Sequence, residues 1–559
     1  MWIPPWALWR HMPSVDHVTP QTPVDDFRPP YASFAAFFAE RDDVGRAFLV
    51  ELNHAVASRR SWTVGSWRDY VRSTATWLAG LGVAPGDAVA TLAGNTAEAL
   101  VLAYGCWVLG ACVVPLNPGD STERQQYILK DAAARLLVHA DESDAAAMCG
   151  DMGTRITTAT TSAMRGAGQE LTTAQAGAQG PISVGIDVPA VRIYTSGTTG
   201  QPKGVVLTIA NLLTDCDALV AGLKWPPDTT VLTVLPVHHV NGLVISSLLP
   251  WYARYQTVLC DRFRSERFWA DATEEAATVC SVVPSLLEFL LATPQPVPPT
   301  FREFLCGAGP LLAETVLDFE ARFLVPVRHL YGLSETTAVA TLMPSLDADQ
   351  RTYWHRGFGF PSIGLALPHV EVAVLDDAGN RLAPELRGEL VVRGGVVMQG
   401  YASDPASTHD AFRHGWFHSG DEGFWAEGPD AQPFFFITGR IKELIIRGGT
   451  NISPFEIDTV LRSHSAVRYG LAVPFANRYY GEEIAAYVVR SAEVSEEEIL
   501  AHCANLLDFA RCPKVVIFGD HVPYTATGKP KRLELKQRLS EALLPHRDVQ
   551  FRRSRAGRE

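Results

Sequence analysis

No Cys-x-x-Cys pair occurs in the 559 residues, and the nine cysteines stand singly, with Cys106/Cys112 and Cys503/Cys512 the nearest neighbours. That spacing excludes the common zinc frameworks and fits a chain kept reduced, so a cytoplasmic location is expected. Positive charge is in deficit. The formal net charge is −13 at pH 7, which argues against nucleic acid as a partner, because a duplex would repel such a surface. Long apolar runs are missing as well. The aromatic opening MWIPPWALWRHMPSV is broken by Pro4 and Pro5 and carries no basic lead-in, so neither a signal peptide nor a membrane span is expected there. Residues 1–30 read as a loose arm. No internal repeat is found.

What is present is ordinary in bulk and specific in detail. Apolar residues make up 47% and charged residues 19%, as in a typical globular protein, and the length exceeds what one core supports. Between residues 65 and 140 an amphipathic helical pattern (SWRDYVRSTATWLAGLGV), a short apolar run (AVATLAG) and a longer one (ALVLAYGCWVLGACVVPL) alternate. This βαβ rhythm predicts an α/β fold with parallel sheet. Residues 141–190, rich in Ala, Thr, Gly and Ser, read as a variable surface segment. EVAVLDDAGNRLAPELRGELVVRG reads as a hairpin with an Asp-Ala-Gly-Asn turn, within a β-rich subdomain near 370–435. From Ile441 the pattern becomes that of a small α+β unit. The expected organisation is a large N-terminal domain over 1–440 and a small mobile one over 441–559, with a disordered basic tail, FRRSRAGRE, at 551–559.

One stretch carries chemistry on its face. YTSGTTGQPKG, Tyr194 to Gly204, follows a predicted strand. Gly197, Gly200 and Gly204 let main-chain N–H groups approach an anion. Thr195, Ser196, Thr198 and Thr199 add hydroxyls, and Lys203 adds a point charge. Lys203 is followed by glycine rather than Ser/Thr, so this is not a Walker A loop, yet it is suited to a nucleotide's β- and γ-phosphates.

YTSGTTGQPKG resembles the phosphate loop of the adenylate-forming superfamily, which includes acyl- and aryl-CoA synthetases, luciferases and nonribosomal-peptide adenylation domains. Further pieces resemble that superfamily in order: PVHHVNG (236–242), CGAGPL (306–311), YGLSETT (331–337), WFHSGD (416–421), GRIKELIIRGGTNISPFEI (439–457) and PYTATGKPKR (523–532). The likeness spans about residues 45–535 and implies an ATP-dependent acid–thiol ligase. An acid attacks the α-phosphate of ATP, and a thiol then displaces AMP from the acyl adenylate. It implies ATP, Mg²⁺ and coenzyme A as cofactors, and a monomer or homodimer. Carried onto this chain, Glu335 resembles the Mg²⁺ ligand and Ser334 the hydroxyl at the α-phosphate. Tyr331 and Gly332 lie at adenine, faced by Ala308, Gly309 and Pro310. Asp421 resembles the ribose carboxylate and Arg440 a nucleotide contact. Lys442 is the hinge, and Lys529 the lysine that reaches the carboxylate and α-phosphate. Gly448 and Gly449 flank the thiol's path. Lys531 and Arg532 are expected to be solvated.

The acid pocket is expected near His239, Val240, Asn241, Gly242, Gly307, Ala308, Gly332, Leu333 and Ala338. His239 is weighed between a gate and a structural histidine, and His238 reads as a packed strand residue. No acid occurs in 237–242, so an α-amino acid is not expected. Small lining residues leave room for a bulky apolar acid, aryl or medium-chain. The acceptor thiol belongs to CoA or, alternatively, to the phosphopantetheine of a carrier protein acting in trans. A homologue that performs a single half-reaction is the remaining alternative.

Overall fold

A computed structural model describes residues 27–141, 145–150, 156–171, 184–195, 201–293, 295–524 and 530–551. The aromatic opening, the tail after Phe551, the tip of the phosphate loop (196–200) and Lys529 lie outside the described residues.

The βαβ rhythm builds a seven-stranded sheet. In spatial order its strands are Gly400–Tyr401, Lys203–Thr208, Pro189–Thr195, Cys112–Pro115, Ala88–Leu92, Leu136–His139 and Thr157–Thr160. All five residues of Ala88–Leu92 are buried, as a parallel strand covered on both faces requires. Helix Ala97–Leu109 is buried around almost its whole circumference. It starts where the Thr96 hydroxyl accepts from Ala99 N and stops at Gly110, whose φ of +80° suits glycine.

A thirteen-stranded sheet forms the second layer. Its parallel part runs through Ala47–Asn53, Gln256–Cys260, Thr230–Thr233, Val279–Val282, Glu303–Cys306 and Val327–Tyr331. It then continues antiparallel through Thr341–Leu342, Ser362–Ala366, Pro433–Arg440, Phe417–Glu427, Gly388–Gly394 and Val370–Leu375. The β-rich region therefore extends this sheet rather than standing apart. The anticipated hairpin is present, with Val370–Leu375 pairing antiparallel to Gly388–Gly394. A third sheet of five strands begins at Ile445–Arg447, directly after the short turn Ile441–Glu443, and packs its own core of Ile445, Ile457, Leu461, Ile484 and Ile499. The architecture is α/β, with a large N-terminal part and a smaller C-terminal one.

Three local features differ from the sequence reading. Within 141–190, strand Thr157–Thr160 pairs parallel to Leu136–His139 and is followed by helix Thr161–Leu171, so threonine-rich sequence extends the sheet. The phosphate loop joins two antiparallel strands, with Thr195 opposite Lys203, and the helix Ile209–Leu223 begins only after the second strand. Residues Asn241–Leu248 form a π-helix. Its wider turn frees carbonyls that hydroxyls then satisfy: Thr233 and Thr257 donate to Ser246 O, and Tyr104 Oη donates to Ser247 O at 3.1 Å.

Candidate active site

Tyr331 ends a parallel strand of the large sheet, at the carboxyl edge where ligands of open α/β sheets bind. Its Oη donates to Asp421 Oδ2 at 2.8 Å. Asp421 lies opposite Arg440 on the neighbouring antiparallel strand, and Arg440 Nε reaches Asp421 Oδ1 at 2.8 Å. Arg440 Nη1 also donates to Ser419 O. Burial and Asp421 push the Tyr331 phenol well above its ordinary range. Burial pulls Arg440 down most strongly, but Asp421 together with Tyr331, Glu335 and Glu443 outweighs it, and the guanidinium ends above its usual value. Asp421 is 3% exposed. A carboxylate accepts through both of its oxygens, a chemistry suited to a pair of vicinal hydroxyls. Ala308, after strand Glu303–Cys306, holds a left-handed φ of +62° although it is not glycine. Such strain persists only where the surroundings fix it. Gly309 beside it faces Pro284, and Pro310 completes the turn.

A second cluster lies beside the first. Glu335 sits in the short turn Ser334–Thr336, four residues from Tyr331. Its Oε1 accepts from Tyr401 Oη at 2.9 Å, and its main-chain oxygen accepts from Met398 N. Lys203 opens the second strand of the phosphate-loop hairpin. Its Nζ donates to Ser407 Oγ at 2.6 Å and lies 5.0 Å from the centroid of the Tyr401 ring. Burial, then Glu335, push the Tyr401 phenol up, so it stays a neutral donor. No group of three or more His, Cys, Asp or Glu able to hold a metal exists among the described residues. Glu335 Oε2 makes no hydrogen bond among them. One free carboxylate oxygen fits Mg²⁺ completed by phosphate oxygens and water.

The glycines assigned to the acid pocket do not open one. A Cβ on Gly242 would meet Pro236 O at 2.4 Å, one on Gly307 would meet Leu330 Cδ1 at 2.4 Å, and one on Gly332 would meet Ala338 O at 2.1 Å. Their small size lets the protein's own chain approach, so it is no measure of room for a substrate. Ala338 is buried, and Val240 and Leu333 are half-buried against the core. His238 is not on a strand. It sits in the turn before the π-helix, with its ring 4.5 Å from that of His239. Among the described residues neither His238 nitrogen has a hydrogen-bond partner, nor has Asn241 Oδ1, and burial lowers the His238 pKa to about 3.

The small domain carries the remaining residues. Lys442 lies in the exposed turn Ile441–Glu443. Gly448 and Gly449 have φ of +57° and +83°, and nothing lies within 4 Å of a Cβ on Gly449. The expectation for Arg532 is corrected: it is 2% exposed, paired with Asp458 at 2.5 Å, and bonded to Ala472 O. An arginine can be buried there because Asp458 and a carbonyl take its two terminal nitrogens, while Glu443 lies 3.5 Å from Nε. Arg532, Tyr401 and Ser407 are the residues the sequence reading missed. Only the position of Arg532 after the lysine motif, and of Tyr401 at the end of GGVVMQGY, could have drawn notice.

Two buried histidines set an acid limit on this scaffold. His329, on the Tyr331 strand, and His355 are 6% and 0% exposed, and burial lowers them to about 4 and about 3 respectively. Between pH 6.5 and those values the unfolded chain binds more protons, so stability falls as pH drops. At pH 5 each costs roughly 2 kcal/mol relative to pH 7.5. Urea midpoints at the two pH values should show the loss, and His355→Gln should remove part of it.

Fold and site together place a Tyr331–Asp421–Arg440 cluster at a strand edge, beside Lys203 and Glu335, in an α/β chain with a smaller C-terminal part. The chain belongs to the AMP-binding enzyme family: the family's sequence model matches residues 39–402 and that of the AMP-binding enzyme C-terminal domain matches 456–529. It is an AMP-forming acid–thiol ligase, which works with ATP, Mg²⁺ and coenzyme A. Similar characterised proteins include oxalate–CoA ligase of Arabidopsis thaliana, 31% identical over 89% of this chain and 98% of that one. Sulfoacetate–CoA ligase of Cupriavidus necator is 38% identical over 62% of this chain and 67% of that one. Among solved structures, ATP-bound MatB from Rhodopseudomonas palustris superposes with a TM-score of 0.81 at 28% identity, covering 91% of this chain and 99% of that one.

Proposed function

We propose that this ligase activates a compact, polar carboxylic acid with ATP and passes the acyl group to CoA. The observation that carries the reading is the joining of two half-sites on adjacent elements: Tyr331, Asp421 and Arg440 for the nucleoside, and Glu335 with Lys203 for the polyphosphate. A carboxylate cannot expel oxide, so its oxygen attacks the α-phosphorus and pyrophosphate leaves. The thiol then adds to the acyl carbon and AMP departs. Joining an anion to a polyanion makes positioning and charge stabilisation the main task. Lys203 holds the phosphates in the first step, and Lys529 steadies the attacking oxygen and the α-phosphate. Glu335 would hold Mg²⁺, which when bound would supply neutralisation of the triphosphate charge. Lys442 is the pivot on which the domain over 441–559 turns, so that Lys529 and Gly449 serve in succession.

The expectation of a bulky apolar acid loses its basis with the packed glycines. Unpartnered polar atoms on His238 and Asn241 favour an acid that brings its own second polar group. The similar oxalate and sulfoacetate ligases act on compact acids of that kind. Purified protein with ATP, Mg²⁺ and CoA should be offered an acid panel and the products read by mass spectrometry. Acyl-CoA from oxalate, glycolate, malonate or sulfoacetate is expected. A preference for octanoate, benzoate or ferulate would overturn the acid assignment, and acyl adenylate without thioester would overturn CoA as acceptor.

A further inference from the structure

The residues that meet the polyphosphate pose an electrostatic difficulty. Lys203 and Glu335 carry opposite charges and face the same site. In an empty pocket two such groups would pair with each other, and the pair would have to be broken before nucleotide could enter. Here they are not paired. The phenol of Tyr401 serves both: its hydroxyl donates to Glu335 Oε1 at 2.9 Å, while the Lys203 ammonium lies 5.0 Å from its ring centroid and donates to Ser407 Oγ at 2.6 Å.

The backbone fixes this arrangement. Gly400–Tyr401 is a two-residue strand whose partners are Val206 and Val205 on the Lys203 strand. Ala402 N donates to Gly204 O at 2.7 Å, and Tyr401 N donates to Thr408 Oγ1 at 2.9 Å. Ser407 is set by the first turn of helix Pro405–Ala411, where Asp404 Oδ1 accepts from Ser407 N at 2.9 Å. The phenol, the serine and the lysine therefore share one rigid hairpin edge, and Glu335 reaches it from the large sheet. The ring face offers a cation a favourable quadrupole, and the hydroxyl offers an anion a donor.

We propose that Tyr401 is a positioning residue that keeps Lys203 and Glu335 apart in the nucleotide-free enzyme, holding one Glu335 oxygen so that the other is left for the metal. The proposal rests on the reading of the site given above. It makes Tyr401→Phe and Tyr401→Ala behave differently. Phenylalanine keeps the spacer and loses the bond to Glu335. The Mn²⁺ concentration giving half-maximal binding to the ATP complex, read by electron paramagnetic resonance, should rise about tenfold, the cost of one hydrogen bond to a charged group. ATP binding in EDTA, read by calorimetry, should stay at the wild-type value. Alanine removes the spacer, so Lys203 and Glu335 pair and ATP binding in EDTA should also weaken, roughly tenfold. Adding Glu335→Gln to Tyr401→Ala frees Lys203 and should restore that binding. Circular dichroism melting separates these effects from unfolding. Unchanged Mn²⁺ affinity in a folded Tyr401→Phe, or no recovery in the double variant, would overturn the proposal. Wild-type protein that binds no ATP at all would instead overturn the site reading beneath it.

Discussion

Lys529→Ala should lower acyl-adenylate formation by about 10²–10³-fold while changing thiolysis of a supplied acyl adenylate only a few-fold, since the loss is that of one preorganised charge at the point of attack. The residues around Lys529 support a localised effect. Tyr524 and Pro530 form an antiparallel bridge, Lys531 N donates to Pro523 O at 2.8 Å, and buried Arg532 anchors the segment to Asp458. The base of the loop therefore stands without the lysine side chain. It also faces the large domain: Tyr524 lies within reach of the charges of Glu288 and Arg462, which pair across the two domains. Gly449→Trp is the complementary variant. Nothing lies within 4 Å of its Cβ position, so a side chain can start there without a clash at its first atom, although the left-handed φ costs roughly 1–2 kcal/mol. Adenylation should survive and CoA transfer should fall. Pyrophosphate exchange measures the first step and thioester release the second. Equal loss of both steps in Lys529→Ala, or normal transfer in Gly449→Trp, would refute the division of roles.

Asp421→Ala should raise the KM for ATP by about 100-fold, corresponding to the loss of two hydrogen bonds to a charged acceptor. The same change strands two partners. Tyr331 Oη loses its 2.8 Å acceptor and Arg440 loses its carboxylate. Removing one member of such a cluster costs more than the cluster contributes, because the groups left behind stay desolvated. A lower melting temperature should therefore accompany the weaker nucleotide binding. Asp421→Asn separates the two effects, since an amide oxygen still accepts from Tyr331. The variant should recover stability more than affinity, and calorimetric ATP titration beside thermal melts would show it. A KM within twofold of wild type in Asp421→Ala would refute the ribose assignment.

Much of the chemistry was legible because its signals are local. A run of glycines and hydroxyls ending in Pro-Lys-Gly needs no tertiary context to suggest phosphate. Ala97–Leu109 declares burial by being apolar on every face. The misreadings came from residues whose meaning lies in distant partners. Gly242, Gly307 and Gly332 looked like open space, yet main chain and a leucine from elsewhere fill it. Arg532 looked solvated beside Lys531, and only Asp458, 74 residues away in sequence, explains its burial. The π-helix over 241–248 has no sequence signature of its own. It is stabilised by hydroxyls from Tyr104, Thr233 and Thr257 on three other elements.

The sequence by itself determined the family, and with it the expectation of a two-step chemistry and of the residue types that would meet nucleotide and thiol. Those depend on short spacings that the backbone translates directly into geometry. Only the tertiary structure decided that the strands on either side of the phosphate loop pair antiparallel, that the antiparallel strands extend the parallel sheet, and that Tyr401 lies between a lysine and a glutamate 132 residues apart in the chain. Strand pairing and charge placement of this kind are set by which surfaces must be buried together, and no local stretch of sequence records that.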